Sequence, residues 1–191
     1  MTLRDKMVGT IYKAATSSRK TRVLLTPLGP IVFSVIIWLF VGMFLQMDKV
    51  LGFPKLFSPF LSLIISVFLL AAGFLLWLWS LLHFIRVKGT PVPFNPPPKL
   101  VATGPYAYVR NPMVTGLSLA LFGFSILLRS ISLAFIFTPV FVLLNVWELK
   151  AIEEPELEKR LGKEYIGYKK KVPMFIPRWE KWTRNRRKNF A

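Results

Sequence analysis

Four apolar blocks dominate this sequence, and each is long enough, or nearly long enough, to cross a lipid bilayer. They cover residues 28–47, 57–85, 113–128 and 131–147. A hydrocarbon core about 30 Å thick needs roughly 20 apolar residues in a helix, so the first two blocks predict spanning helices and the last two lie near the short limit. Only Arg129 and Ser130 clearly separate the last two, which predicts a tight helical hairpin. The predicted fold class is all-α, an integral membrane bundle of about four transmembrane helices.

Positive charge is concentrated between and after these blocks. The 191 residues include 26 Lys and Arg against 9 Asp and Glu, a formal net charge of +17. A charge of this size can indicate nucleic-acid binding, but that function needs a basic face on a soluble domain. The positive-inside rule and contact with anionic membrane lipid explain the pattern better. We therefore expect no nucleic-acid partner, both termini in the cytoplasm, and a location in the inner or cytoplasmic membrane.

Shifts in composition divide the chain into four segments: a basic N-terminal segment at 1–25, two transmembrane helices at 26–88, a core at 89–178 that contains the hairpin 113–147, and a basic tail at 179–191. The core begins with the proline-rich stretch Gly89–Pro98, which cannot be helical because proline lacks the amide hydrogen. Apolar and aromatic residues recur at helical spacing after Pro155, so a cytoplasmic amphipathic helix is predicted to start there. An even number of spans puts this helix and the proline-rich loop on the same membrane face.

Cysteine is absent and His83 is the single histidine. Disulfides, thiolate sites and histidine-rich metal clusters are therefore excluded, and we expect no metal. No residue can be assigned as catalytic from the sequence.

The segment from Leu100 to Met113 has the strongest local signal. Gly104 and Pro105 predict a turn where the backbone can approach a ligand closely. Arg110 offers a planar fork for a carboxylate or phosphate. Asn111 is pushed out of the α region by Pro112, which then begins the third helix. A juxtamembrane loop with an arginine that snorkels and tyrosines in the aromatic belt would explain the same residues.

The second signal is the pair Glu153 and Glu154, followed by Pro155. Adjacent carboxylates at the end of a spanning helix can accept hydrogen bonds from ribose hydroxyls or attract an amine or sulfonium charge. Their alternative role is to complement the N-terminal dipole of a helix that begins at Pro155.

Together these segments resemble the isoprenylcysteine carboxyl methyltransferases and the related phospholipid methyltransferases, in particular a bacterial-type branch. The resemblance runs from about Gly89 to Arg178, and its motifs are Gly104-Pro105-Tyr106, Arg110-Asn111-Pro112, Glu153-Glu154-Pro155, Leu161-Gly162, Tyr165, Tyr168 and Val172-Pro173. It implies that residues 89–178 are a methyltransferase core that binds S-adenosylmethionine on the cytoplasmic side. The cofactor contacts that it implies are Lys99, Leu100, Val101, Gly104, Tyr106, Arg110, Asn111, Pro112, Glu153 and Glu154.

Three positions depart from the pattern of these enzymes. Asn111 stands where histidine is common and cannot act as a base near neutral pH. Val114 stands where tyrosine is frequent. Leu149 aligns with the arginine that contacts substrate in the prenylcysteine enzymes, which leaves Glu148 and Lys150 as weak candidates for substrate contact.

His83 is a further weak substrate candidate, because it lies near the cytoplasmic end of the second span. A histidine there more often bonds a neighbouring helix or sits at the membrane interface.

The predicted function is S-adenosylmethionine-dependent methyl transfer to a lipid or prenyl-like hydrophobic acceptor. Two alternatives stay open: a sterol-reductase-like membrane enzyme that uses NADPH, and a non-catalytic membrane protein.

Overall fold

The structure, a computed structural model, describes residues 9–10, 28–86 and 99–177. Apart from Gly9 and Thr10, which are helical, the predictions for the basic N-terminal segment lie outside the described residues. The same holds for the proline-rich stretch Gly89–Pro98 and for the tail 179–191. The described residues contain helices and no strand, so the all-α class is confirmed.

Six α-helices, a short 3-10 turn and two π-helical turns make up the described fold. In chain order the elements are α1 (Leu28–Val50), α2 (Pro59–Arg86), the 3-10 turn Gly104–Ala107, α3 (Pro112–Leu127), the π-turn Leu133–Phe137, α4 (Thr138–Glu148), the π-turn Leu149–Glu153, α5 (Glu154–Leu161) and α6 (Lys163–Lys171).

Within the described parts of the chain, three helices are long and apolar enough to cross a membrane: Pro30–Val50, Pro59–Arg86 and Leu133–Leu161. The last of these is longer than the predicted block 131–147, because α4, α5 and both π-turns form one continuous helix. Helix α3 is apolar but has only 16 residues, about 24 Å at 1.5 Å per residue. It is therefore shorter than the roughly 30 Å of a hydrocarbon core.

Both π-turns are followed by a proline at the second position of the next helix. Pro139 and Pro155 have no amide hydrogen, and each ring would collide with the carbonyl four residues earlier in a regular helix. The wider turn lets the preceding residue bond five residues back, from Thr138 N–H to the Leu133 carbonyl and from Glu154 N–H to the Leu149 carbonyl. The amphipathic helix predicted to start near Pro155 is confirmed as α5, which begins at Glu154. The π-turn joins it to α4, so the chain stays helical through Pro155.

Helices α2 and α3 pack with their backbones in close contact, and small residues make this possible. A Cβ on Gly116 would lie 2.7 Å from the Gly73 carbonyl oxygen and 2.8 Å from the Trp77 nitrogen. A Cβ on Gly123 would lie 2.8 Å from Leu69 Cβ. Small residues spaced along a helix are a common basis of helix association in membranes, because they let the backbones approach.

Gly116→Ala is expected to lower the free energy of unfolding by about 1–3 kcal/mol, the usual cost of overpacking. The atoms that the new methyl group meets are backbone atoms, so no side chain can rotate away. Equilibrium unfolding in mixed detergent micelles measures the change. Gly42→Ala in α1, where a Cβ meets nothing within 4 Å, is the matched control, and equal losses in the two variants would contradict the packing argument.

The two ends of the bundle are distinct. At one end Leu56 N–H donates to the Arg129 carbonyl (3.1 Å), so the α1–α2 loop lies beside the turn after α3. The Asp48 carboxylate also accepts a bond from the Ser132 backbone N–H (3.0 Å) at this end. The segment Gly104–Asn111, α5 and α6 therefore lie together at the opposite end.

Candidate functional site

The Gly104–Ala107 turn packs directly against the end of α2. Gly104 has φ +59°, and a Cβ there would lie 2.1 Å from Nε2 of His83. Glycine is required because the positive φ disfavours other residues and because the imidazole fills the space that a side chain would need. One residue further along α2, the Phe84 ring meets the Tyr106 ring edge to face at 5.1 Å between centroids. These two contacts fix the turn that carries Tyr106.

The C-terminal segment is hydrogen-bonded onto this turn. Arg110 N–H donates to the Pro173 carbonyl (2.8 Å) and Asn111 N–H to the Met174 carbonyl (3.1 Å). The Tyr168 hydroxyl donates to the Tyr106 carbonyl at 2.7 Å in a buried contact. The segment that carries Tyr106 and Arg110 is thus in direct contact with the segment from Tyr168 to Met174.

An ion-pair cluster around the buried Glu154 links Arg110, in the segment before α3, to α5 and α6. Arg110 Nη1 lies 2.6 Å from Glu154 Oε1, and the two side chains are only 11% and 7% exposed. Lys169 Nζ lies 2.6 Å from Glu154 Oε2 and 2.9 Å from Glu158 Oε1. Both oxygens of Glu154 therefore face a cation.

Several buried polar atoms of the site have no hydrogen-bond partner among the described residues. These atoms are the Tyr106 hydroxyl, Nε and Nη1 of Arg110, and Oε1 of Glu154. Nη1 and Oε1 are close enough for an ion pair but lack the angle of a hydrogen bond, so we treat their contact as electrostatic. The Tyr106 hydroxyl and Arg110 Nε are the two donors that have neither a hydrogen bond nor an ion pair among the described residues. The Arg110 guanidinium also lies beside the Tyr165 hydroxyl. Buried donors of this kind are costly unless a ligand or water satisfies them.

The two adjacent glutamates differ in their surroundings. Glu154 is buried and ion-paired, whereas Glu153 is half-buried. Burial first, and then electrostatic interaction with Glu153, raise the pKa of the Tyr106 phenol. Tyr106 therefore stays protonated and can donate a hydrogen bond.

The other predicted site residues differ in burial. Lys99 is exposed, Leu100 is half-buried against the cluster formed by Tyr165, Tyr168 and Val172, and Val101 is buried. Asn111 makes no side-chain cap for α3, which begins at the buried Pro112. Glu148 is half-buried and Lys150 is exposed.

Sequence reasoning did not assign Tyr165, Tyr168 or Lys169 to the site. The helical spacing of the two tyrosines was a usable signal, because it predicted a buried face, and both side chains are buried. Burial raises the pKa of both phenols. The role of Lys169 depends on a contact across two helices, for which the sequence has no local signal. No group of three or more potential metal ligands occurs in the described parts of the chain.

Comparison with protein families identifies the family of this chain. A model described as phospholipid methyltransferase matches residues 61–164, more than half of the chain. The chain belongs to the phospholipid methyltransferase family. The matched region of this family member runs from α2 into α6 and contains Gly104, Arg110 and the glutamate pair, while Lys169 and Pro173 lie beyond it. No curated protein and no solved structure matched the chain.

Membership of the phospholipid methyltransferase family, together with three apolar helices of spanning length, makes the chain an integral membrane methyltransferase.

Proposed function

We propose that this methyltransferase binds S-adenosylmethionine between the Gly104–Ala107 turn and the α4–α5 junction, and transfers its methyl group to a lipid or similar hydrophobic acceptor. The observation that carries the proposal is the pair of buried, unpartnered donors, the Tyr106 hydroxyl and Arg110 Nε, beside the half-buried Glu153. A zwitterionic ligand with hydroxyl groups could accept hydrogen bonds from Tyr106 and Arg110 and donate hydrogen bonds to Glu153.

The residues fit such a ligand in chemical type. Arg110 Nε suits the carboxylate of the amino-acid portion, because a guanidinium donates charge-assisted hydrogen bonds. Glu153 suits ribose hydroxyls or the amino group as a hydrogen-bond acceptor. Glu154 has both oxygens engaged by Arg110 and Lys169, so we assign it to holding Arg110 in position and not to the cofactor itself.

When bound, S-adenosylmethionine supplies a methyl group already activated by its sulfonium. The chain is then needed mainly to align the reactants and to exclude water. The packed tyrosines Tyr106, Tyr165 and Tyr168 exclude water, since each is at most 9% exposed. The acceptor reaches the site from the bilayer, because the spanning helices present apolar side chains on their surfaces. The positive-inside rule assigns this end of the bundle to the cytoplasm.

Glu153→Gln is expected to weaken binding of S-adenosylhomocysteine by about 1–3 kcal/mol, the cost of leaving a buried polar group without its hydrogen-bond partner. Isothermal titration of purified protein in detergent measures the affinity. Glu164→Gln is the matched control, because Glu164 is exposed in the first turn of α6 and should leave affinity unchanged.

Folded wild-type protein that binds no S-adenosylhomocysteine would reject the cofactor assignment. A parallel titration with NADPH separates the reductase alternative, and binding of neither nucleotide would favour a non-catalytic membrane protein.

A further inference from the structure

A hydrogen bond of His83 determines which nitrogen of its ring is unprotonated. Its Nδ1 lies 3.0 Å from the Trp79 carbonyl oxygen, one helical turn earlier in α2. A carbonyl can only accept a hydrogen bond, so Nδ1 carries the proton of the neutral ring. The lone pair therefore lies on Nε2, the nitrogen that can act as a base.

The free nitrogen is directed toward the candidate site. Nε2 is the atom nearest to the Cβ position of Gly104, and the ring tip fills the space beside that turn. The next residue of α2, Phe84, contacts the Tyr106 ring. His83 thus meets the same turn that leads to Tyr106 and Arg110, and it is half-buried, which leaves part of the ring accessible.

The other groups near the site are less suited to taking a proton. Glu154 and Glu156 are held in ion pairs with Arg110 and Arg160. The buried Tyr106 has a raised pKa and stays protonated. Asn111 has no basic atom. Glu153 and the half-buried Glu148 are the competing bases near the site. The proposed function assigns Glu153 to the cofactor.

We propose that His83, through Nε2, accepts the proton of the methyl acceptor, and that this acceptor is a lipid amine or hydroxyl. The inference rests on the proposed function. The acceptor's N–H or O–H bond breaks, its proton bonds to Nε2, and its electron pair stays on the acceptor atom. That pair bonds to the methyl carbon while the carbon–sulfur bond breaks with its electrons on sulfur. The imidazolium then releases its proton to water. A carboxylate acceptor would need no such base.

The single histidine makes the first test direct, because isotope-labelled histidine gives one imidazole signal in a chain purified without a polyhistidine tag. We expect nitrogen chemical shifts of a ring protonated at Nδ1, in the absence of any cofactor or acceptor. A ring protonated at Nε2 would overturn the assignment. This measurement does not depend on enzymatic activity.

The second test uses radiolabelled S-adenosylmethionine and a total lipid extract. His83→Gln is expected to reduce the rate of methyl transfer at saturating cofactor by about 100-fold or more, the usual contribution of a general base. Its affinity for S-adenosylhomocysteine should fall by a much smaller factor than the rate, since the proposed role of the residue is in proton transfer from the acceptor. Glu153→Gln should instead lose cofactor affinity.

The outcomes separate the two proposals. Wild-type protein that binds no S-adenosylhomocysteine would reject the proposed function, and the role of His83 with it. Wild-type cofactor binding with undiminished transfer by His83→Gln would overturn only the assignment of His83. Cofactor binding without methylation of any lipid in the extract would overturn a lipid amine or hydroxyl as the acceptor.

Discussion

Glu154→Gln is expected to lower the free energy of unfolding by about 3–5 kcal/mol, the range for breaking a buried ion pair by removing one partner. Arg110 is only 11% exposed at its side chain, so it would keep its charge without a counter-ion. Lys169 would lose its shorter contact as well. Equilibrium unfolding in mixed micelles measures this loss, and titration with S-adenosylhomocysteine measures the accompanying displacement of Arg110.

Glu158→Gln is the control for this prediction. Glu158 lies one turn further along α5 and contacts the same Lys169, but its side chain is 39% exposed. An exposed pair contributes about 0–1 kcal/mol, so little stability should be lost. The double variant Arg110→Met, Glu154→Gln should recover part of the stability, because the unpaired charge is gone, while cofactor binding stays impaired. Equal destabilisation by Glu154→Gln and Glu158→Gln would contradict the buried-pair argument.

Gly104→Ala is expected to cost about 2–5 kcal/mol of stability, from roughly 1–2 for the left-handed backbone and roughly 1–3 for overpacking. The new methyl group would lie 2.1 Å from His83 Nε2. The imidazole would have to move, and its bond to the Trp79 carbonyl would then break. The same micelle unfolding measurement applies, and cofactor affinity should fall because the turn shifts.

A double-mutant cycle separates the two causes. His83→Ala removes the ring, so Gly104→Ala in that background should keep only the backbone cost. Gly167→Ala in α6 is the control, because a Cβ there meets nothing within 4 Å and its backbone has no positive φ. It should be neutral or slightly stabilising. The same loss from Gly104→Ala with and without His83 would show that the ring contact has no energetic role.

The two motif segments illustrate what local patterns can predict. Gly104-Pro105 predicted a turn and Pro112 predicted the start of a helix, because proline and glycine restrict the backbone in ways that need no tertiary contact. The first two spanning helices were predicted for a similar reason, since a bilayer requires long apolar runs. Their observed bounds differ from the predicted ones by at most three residues.

Other features depend on distant contacts or on a choice between competing effects. The start of an amphipathic helix near Pro155 was predicted, but the π-turn that joins this helix to α4 was not. No local sequence pattern indicates that a π-turn will accommodate the proline. From the sequence, Glu153 and Glu154 were predicted to have the same role. The two residues differ only because Arg110 and Lys169 approach Glu154, from positions 44 residues before and 15 residues after it in the chain.

The sequence by itself determined that this protein is an all-helical membrane protein, because apolar length and proline and glycine positions act locally. The order of its motifs along the chain indicated the methyltransferase family to which the chain belongs. Only the tertiary structure decided which motif residues pair with each other. In the folded protein Glu154 forms an ion pair with Arg110, and His83 packs against Gly104. The Tyr106 hydroxyl and Arg110 Nε have no hydrogen-bond partner among the described residues. The physical reason is that ion pairing, burial and close packing depend on which side chains meet in space, and no spacing along the chain specifies that.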